Sequence, residues 1–406
     1  MGIVSDCRPM PPLSASHSVS RQAWLIAGIL LIASNLRAPV TGVAPVLDMI
    51  RTSLDLTAAQ AGLLTTLPLL AFAAGSPIAA LAARRYGLER TLMAALLTLV
   101  AGLCLRSSGA VWALFAGTLL IGGAIAFGNV LLPSLLKRDF PGRIASLTSA
   151  YALTMGVASG LASMIAVPLA LWSAGPGWPL ALLAPIVIAI ASALVWLPQL
   201  RTPAPVAAPA GPTQARPRPV WKSALAWQIT LFLGLNSLVY YIVSSWLPSM
   251  LHDAGYPPGS TGSVHGMLQI ASAVVGLPLL ALVRRVRDQR WLAVGCTGLS
   301  IAALLGLLVA PSWAAAWAIL YGCGGGASII LGLAFVSLRV GNAQQAAALS
   351  GMAQAVGYLL AAGGPTAIGA VHDLTGGWTV ALLICLVFAC VQAVFGLYAG
   401  RHRQLA

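Results

Sequence analysis

Long apolar stretches recur along the chain, each closed by a short polar or basic break. An α-helix needs about 20 such residues to cross the hydrocarbon core of a bilayer. The pattern predicts twelve spanning helices, over 23–46, 59–81, 91–108, 111–136, 145–170, 179–198, 224–250, 262–283, 291–310, 313–338, 346–370 and 378–400. Prolines inside the spans, among them Pro39, Pro68, Pro133, Pro248 and Pro365, predict breaks of the kind membrane helices tolerate when neighbours re-satisfy the freed carbonyls. After the sixth span, the Pro/Ala-rich run from Arg201 to Pro219 cannot build a packed core and reads as a linker. The expected division is a tail (1–22), a six-helix bundle (23–198), the linker (199–222), a second six-helix bundle (223–400) and a short tail (401–406). Basic loops, Arg84 to Arg90 and Arg284 to Arg290, follow the second span of each half and suggest a duplicated unit. The expected fold class is all-α integral membrane, with two six-helix bundles around a central site near mid-depth.

Composition supports this reading. The chain is 59% hydrophobic and 7% charged, against roughly 25% charged residues in soluble proteins. Its formal charge of +14, read alone, would suggest a nucleic-acid partner, but the distribution of charge rejects one. With the N-terminus in the cytoplasm, nearly all Lys and Arg fall on the cytoplasmic side; Arg51 and Arg106 fall outside and Arg37 within a span. The positive-inside rule then puts both termini in the cytoplasm. The first twenty residues lack the pattern of a removable signal peptide. The six cysteines form no Cys-x-x-Cys pair and mostly lie in apolar helices, so they are expected to be packing residues, neither disulfide-bonded nor metal-binding.

Candidate chemistry begins with Arg37, the one charged side chain placed inside a span, in Ser34-Asn35-Leu36-Arg37-Ala38-Pro39. A buried guanidinium persists only with partners or a water-filled cavity, and its planar fork fits small oxyanions. Either it grips an anionic solute or it braces a neighbouring helix through carbonyls. No Asp or Glu falls inside a span, which argues against proton coupling through a buried carboxylate. His265 is the titratable alternative: it carries a proton or sits idle at a helix mouth. Gln269 and Ser272 follow along its face, as cavity lining or as interhelical hydrogen-bonding groups. In the seventh span Asn236 and Tyr240 share a face, and Tyr240 and Tyr241 offer rings and hydroxyls for enclosing a small polar solute. Trp246 reads instead as part of an interfacial aromatic belt. Asn129 and the i,i+4 pair Gln354 and Tyr358 complete a candidate lining with Asn35.

These residues carry a resemblance. Asn35-Leu-Arg37-Ala-Pro39, Gly62-Leu-Leu-Thr-Thr-Leu-Pro68, Arg84-Arg-Tyr-Gly-Leu-Glu-Arg90, Gly128-Asn-Val-Leu-Leu-Pro133, Tyr240-Tyr241 with Trp246-Leu-Pro248, Ser350-Gly-Met-Ala-Gln354 and His372-Asp-Leu-Thr-Gly376 resemble major facilitator superfamily transporters of the cyanate/nitroimidazole (CynX/NimT) family. The resemblance implies a monomeric, single-polypeptide transporter without cofactor in a bacterial inner membrane. It would move cyanate-like anions or related small solutes by rocking its halves, with an exchanged or co-transported ion. Arg84, Arg85, Gly87, Arg90, Arg284 and Arg285 would steer the conformational switch. Two departures stand out: Arg84 occupies the position of the superfamily's usual acid, removing its inter-helix charge latch, and position 236 is Asn where relatives often carry Gln. A second reading is efflux of a neutral, toxic compound such as a nitroimidazole, with Arg37 structural. A membrane sensor or enzyme is disfavoured, since the tails are too short for a signalling domain and the spans hold no acid, base and nucleophile set.

Overall fold

The apolar runs fold into sixteen α-helices, with no strand among the residues that the computed structural model describes, which are 15–172, 175, 177–201, 220–286, 288–340 and 343–404. The first half comprises α1 (Ala15–Ser34), α2 (Ala38–Thr41), α3 (Leu47–Leu54), α4 (Ala58–Tyr86), α5 (Leu88–Arg106), α6 (Val111–Asp139), α7 (Ile144–Trp172), α8 (Trp178–Leu183) and α9 (Ile186–Trp196). The second comprises α10 (Ala224–Asp253), α11 (Pro258–Val274), α12 (Gly276–Arg285), α13 (Arg290–Val309), α14 (Ala314–Leu338), α15 (Ala343–Thr375) and α16 (Thr379–Ala399). The first span is α1 to α3 in sequence, the sixth is α8 with α9, and the eighth is α11 with α12. Eleven spans have the length and hydropathy to cross a membrane; α15, 33 residues long and richer in polar side chains, completes the twelve. Most of the linker, 202–219, and the N-terminal residues 1–14 lie outside the described residues.

The first span breaks where its sequence dictates. Pro39 has no N–H for the carbonyl of Asn35, and the chain tightens ahead of it: Asn35 N–H donates to Ile32 O (3.0 Å) and Leu36 N–H to Ala33 O (3.1 Å). Val43 N–H then turns to Val40 O (3.3 Å), which frees the carbonyl of Pro39. Arg106 takes it. The Arg106 guanidinium is 1% exposed and donates to Pro39 O (2.7 Å) and to Leu182 O (3.1 Å) beside the α8–α9 break. Arg106 was expected at the outer surface; it is buried instead, because two broken helices leave carbonyls that a guanidinium can satisfy.

Each half is bound by its own pairs, α5 on α6 and α4 on α6 in the first, α13 on α14 and α11 on α14 in the second. Across the halves α4 packs on α15 and α7 on α11. The cores differ between the two ends. At the end opposite the termini, the far end, one cluster runs through both halves, joining Leu47, Ile50 and Trp178 to Trp246, Leu247 and Leu382. Toward the terminal end there are two clusters, one built almost wholly from the first half and one from the second. Large apolar side chains such as Trp172, Val187, Trp291 and Leu374 project outward, as lipid-facing residues must. Trp246, expected in an aromatic belt, is fully buried at the far-end seam, its indole donating to Pro365 O (2.9 Å) and packing 5.2 Å from the Trp378 ring.

The terminal-end loops restore what the sequence appeared to lack. Gly87 turns the chain between α4 and α5 at φ 87°, a conformation that favours glycine. Arg84, Arg85 and Arg90 are exposed, Arg85 over the Tyr86 ring. With Arg84 exposed, the ion pair between helices at this corner is made by Glu89 on α5, which pairs with Arg138 on α6 at 2.6 Å, while Arg138 also holds Asp139 at 2.8 Å. In the second half Arg339 stands in the place of Arg138, donating to Gln289 and to the carbonyls of Ala399 (3.3 Å) and Gly400 (3.0 Å). Arg285 is exposed, and the Arg284 side chain and Arg287 lie outside the described residues. The backbone N–H of Arg290 and its guanidinium hold the Asp288 carboxyl below the usual carboxylate range.

Candidate functional site

A cavity of about 380 Å³ lies between the halves at the level of the first-span break. That volume is at the small end of ligand pockets, which run about 300–1,000 Å³. The broken first span, α4, α6 and α7 wall one side, and α10, α14 and α15 the other. Because Arg37 sits in the irregular stretch between α1 and α2, its side chain leaves the helix barrel and reaches the cavity wall. It is half-buried and lies over the Tyr240 ring, 5.0 Å from the centroid. Among the described lining residues Arg37 carries the one formal charge, and no carboxylate lies within ion-pair distance of it. The surrounding wall is aromatic and weakly polar. Tyr241 stands edge-on to Tyr240 (6.0 Å), Tyr358 meets Phe72 edge-on (6.0 Å), and Asn129 and Gln354 expose their amides.

Six of the ten sequence-predicted residues therefore meet at the cavity: Arg37, Asn129, Tyr240, Tyr241, Gln354 and Tyr358. The other four stand behind it. Asn35 is 2% exposed and donates to Leu31 O (2.8 Å), the carbonyl its own backbone N–H abandoned, and to Ser192 Oγ (2.8 Å) on α9. Asn236 donates to Gly325 O (3.2 Å) and accepts from Gln392 (3.2 Å), inside the second half. His265 and Gln269 are fully buried behind Tyr240. The reason is common to all four: a polar side chain in a span satisfies neighbouring helices before it serves a cavity. Sequence reasoning missed Thr41, Tyr151, Ser237 and Ser244, which also line the cavity. Ser237 could have been found, since it shares the i,i+4 face of Tyr241; Tyr151 has no polar residue three or four places before or after it except Thr148 and Thr154, small hydroxyls that gave no distinct signal.

Above the cavity the far end is sealed by contacts between halves. Both carboxylate oxygens of Asp373 on α15 accept the first N–H groups of α4, from Ala58 (3.2 Å) and Ala59 (3.1 Å), with Arg51 at 3.9 Å. This is a charge placed on a helix N-terminus. Ser249 donates to Asp48 (3.0 Å), and Thr66 donates to Ala362 O (2.6 Å). Toward the terminal end the cores of the two halves are separate, and the cavity-lining Asn129 and Gln354 are exposed. The molecule is closed at the far end and open toward its termini.

Two six-helix bundles that enclose a polar cavity between them and seal it at one end are the architecture of a polytopic membrane transporter. The chain belongs to the Major Facilitator Superfamily, whose sequence profile matches residues 23–362, and within it to the CynX/NimT group its motifs resemble. It is 50% identical to the 2-nitroimidazole transporter of Escherichia coli (strain K12), over 97% of this chain and 99% of that one. It is 25% identical to the cyanate transport protein CynX of the same organism, over 86% and 90% of the two chains. A bacterial homologue of the human lysosomal transporter Spinster, crystallised inward-facing and unoccupied, superposes with a TM-score of 0.75 at 16% identity over 95% of this chain and 98% of that one.

Proposed function

We propose that the chain carries a small planar solute whose electron-rich head group, an anion such as cyanate or a carboxylate, docks on Arg37 while its body rests among the tyrosines. The observation that carries this reading is a guanidinium on the cavity wall with a tyrosine face beneath it and no carboxylate to neutralise it. A fork of donors on a partly desolvated arginine favours an acceptor group arriving from solution. The lining includes Asn129, Gln354 and the Tyr241 and Tyr358 hydroxyls, which can complete the solute's remaining hydrogen bonds. The protein lies in a bacterial inner membrane with both termini and the linker cytoplasmic, as the basic loops favour, and the cavity then faces the cytoplasm.

A second reading, efflux of a nitroimidazole-like compound, draws support from the 50% identical relative named for 2-nitroimidazole and from the aromatic lining. The two readings share a site, since a nitro group is also a pair of oxygen acceptors. Thermal stabilisation of the purified protein by cyanate, nitrate, benzoate, 4-hydroxybenzoate and 2-nitroimidazole separates them. The proposal expects anions to raise the unfolding temperature of the wild type and to leave Arg37→Gln unmoved. Stabilisation by 2-nitroimidazole alone, retained in Arg37→Gln, would replace the anion reading with the efflux one.

A further inference from the structure

His265 is buried completely, yet it neither lines the cavity nor faces a carboxylate among the described residues. Its Nδ1 lies 3.0 Å from Ser163 Oγ on α7, in the opposite half. Its Nε2 lies 3.1 Å from Ser244 Oγ and 3.0 Å from the amide nitrogen of Gln269. The Gln269 amide nitrogen can only donate, so Nε2 accepts and the ring proton sits on Nδ1, directed at Ser163. A second proton on the ring would face the Gln269 amide, donor against donor, and would have to share Ser244 Oγ, which already accepts from Gln269 (2.8 Å). The site therefore suits a neutral imidazole.

The bonds on either side of His265 form a closed circuit through Arg37. On one side, the Ser163 hydroxyl donates to Ser159 O (3.1 Å), the Ser159 hydroxyl donates to Thr41 Oγ1 (3.0 Å), and Thr41 donates to the Arg37 carbonyl (3.1 Å). On the other, the carbonyl oxygen of Gln269 accepts from the Tyr240 hydroxyl (2.6 Å), and the Tyr240 ring lies beneath the Arg37 guanidinium. The circuit crosses between the halves twice, at Ser163–His265 and at Arg37–Tyr240. Where it crosses, α7 and α11 touch through glycine: a Cβ on Gly266 would lie 2.7 Å from Gly160 O. The seam is tight enough that a shift of either helix is felt by the other.

We propose that His265 is a positioning residue that ties the geometry of Arg37 and Tyr240 to the α7–α11 seam. This deepens the reading of Arg37 as the docking group and rests on it for the identity of the ligand, but the coupling itself does not need a ligand. A solute that draws the guanidinium off the Tyr240 ring opens one crossing of the circuit. The Tyr240 hydroxyl, Gln269 and His265 then relax together, and the hold on Ser163 across the seam weakens. The histidine acts as a neutral link and does not carry a coupled proton in this conformation.

The test uses the full-length protein in proteoliposomes, with the six cysteines replaced and a single cysteine at Thr65, on the far-end side of the cavity wall. A membrane-impermeant maleimide added from the far end reads how often the seam opens, with no ligand present. Ser163→Ala and Tyr240→Phe each remove one hydroxyl from the circuit and are mild enough to leave folding intact. Each is expected to change the labelling rate by about threefold or more, and the double variant to match a single one, because groups acting as a unit are not additive. His265→Phe, which keeps the ring and loses both bonds, should give the same rate and show no further change on adding Ser163→Ala. Effects that multiply in the double variants, or no change in a folded protein, would overturn the proposal. Adding 2-nitroimidazole or cyanate addresses the ligand separately: absence of any ligand effect, with non-additive labelling intact, would count against the docking reading and leave the coupling standing.

Discussion

Two arginines lie within the membrane-spanning bundle and do opposite things. Arg106 is enclosed and bound to the carbonyls of Pro39 and Leu182, so its removal leaves two buried acceptors unpaired. Arg106→Met is expected to lower the stability of the detergent-solubilised protein by about 2 kcal/mol or more, read by thermal unfolding. Arg37 faces a cavity, and Arg37→Gln should change stability by under about 1 kcal/mol while abolishing ligand stabilisation. Arg37 was legible because a charge in an apolar run is conspicuous. Arg106 was not, because it ends its span and its burial depends on breaks in two other helices. The same limit separated Tyr240 from His265 and Gln269: the sequence marks a polar group in a span, and only packing decides whether it meets the cavity or a neighbour.

The elements that decide which end opens are the pairs α4 with α15 and α7 with α11. Asp373 holds the N-terminus of α4 from across the seam, with both oxygens engaged. Asp373→Asn keeps the shape and loses the charge, and a charge-assisted bond reduced to a neutral one raises far-end labelling of Thr65→Cys by about fivefold. Gly62 abuts the backbone of α15, where an added Cβ would lie 2.7 Å from Thr366 Cα. Gly62→Val should therefore hold the far end apart, raising the same labelling and slowing transport in a protein that still folds; unchanged labelling would show that this contact does not form the seal. The helices were readable from apolar length and their breaks from proline, as in the first span. The pairing across the seam was not, since small residues allow close approach but do not name the partner.

At the scale of the molecule, one shared core at the far end and two separate cores toward the termini describe a transporter caught open on one side. The two basic loops suggest a repeat, and Arg138 and Arg339, at the ends of α6 and α14, make tethering bonds at corresponding places in the two halves. The ion pair at this corner could not be read from Arg84, because Glu89 supplies the acid from the next helix. If this ion pair takes part in the conformational switch, Glu89→Gln slows exchange across the membrane while leaving solute affinity unchanged, a pair of effects separable by counterflow rate and thermal shift. The central claim is that Arg37 in this cavity receives the transported solute. Its most direct test is counterflow of labelled benzoate, cyanate and 2-nitroimidazole into proteoliposomes bearing the wild type or Arg37→Gln. The account predicts accumulation of at least one anion by the wild type and none by the folded variant; equal accumulation by both would contradict it.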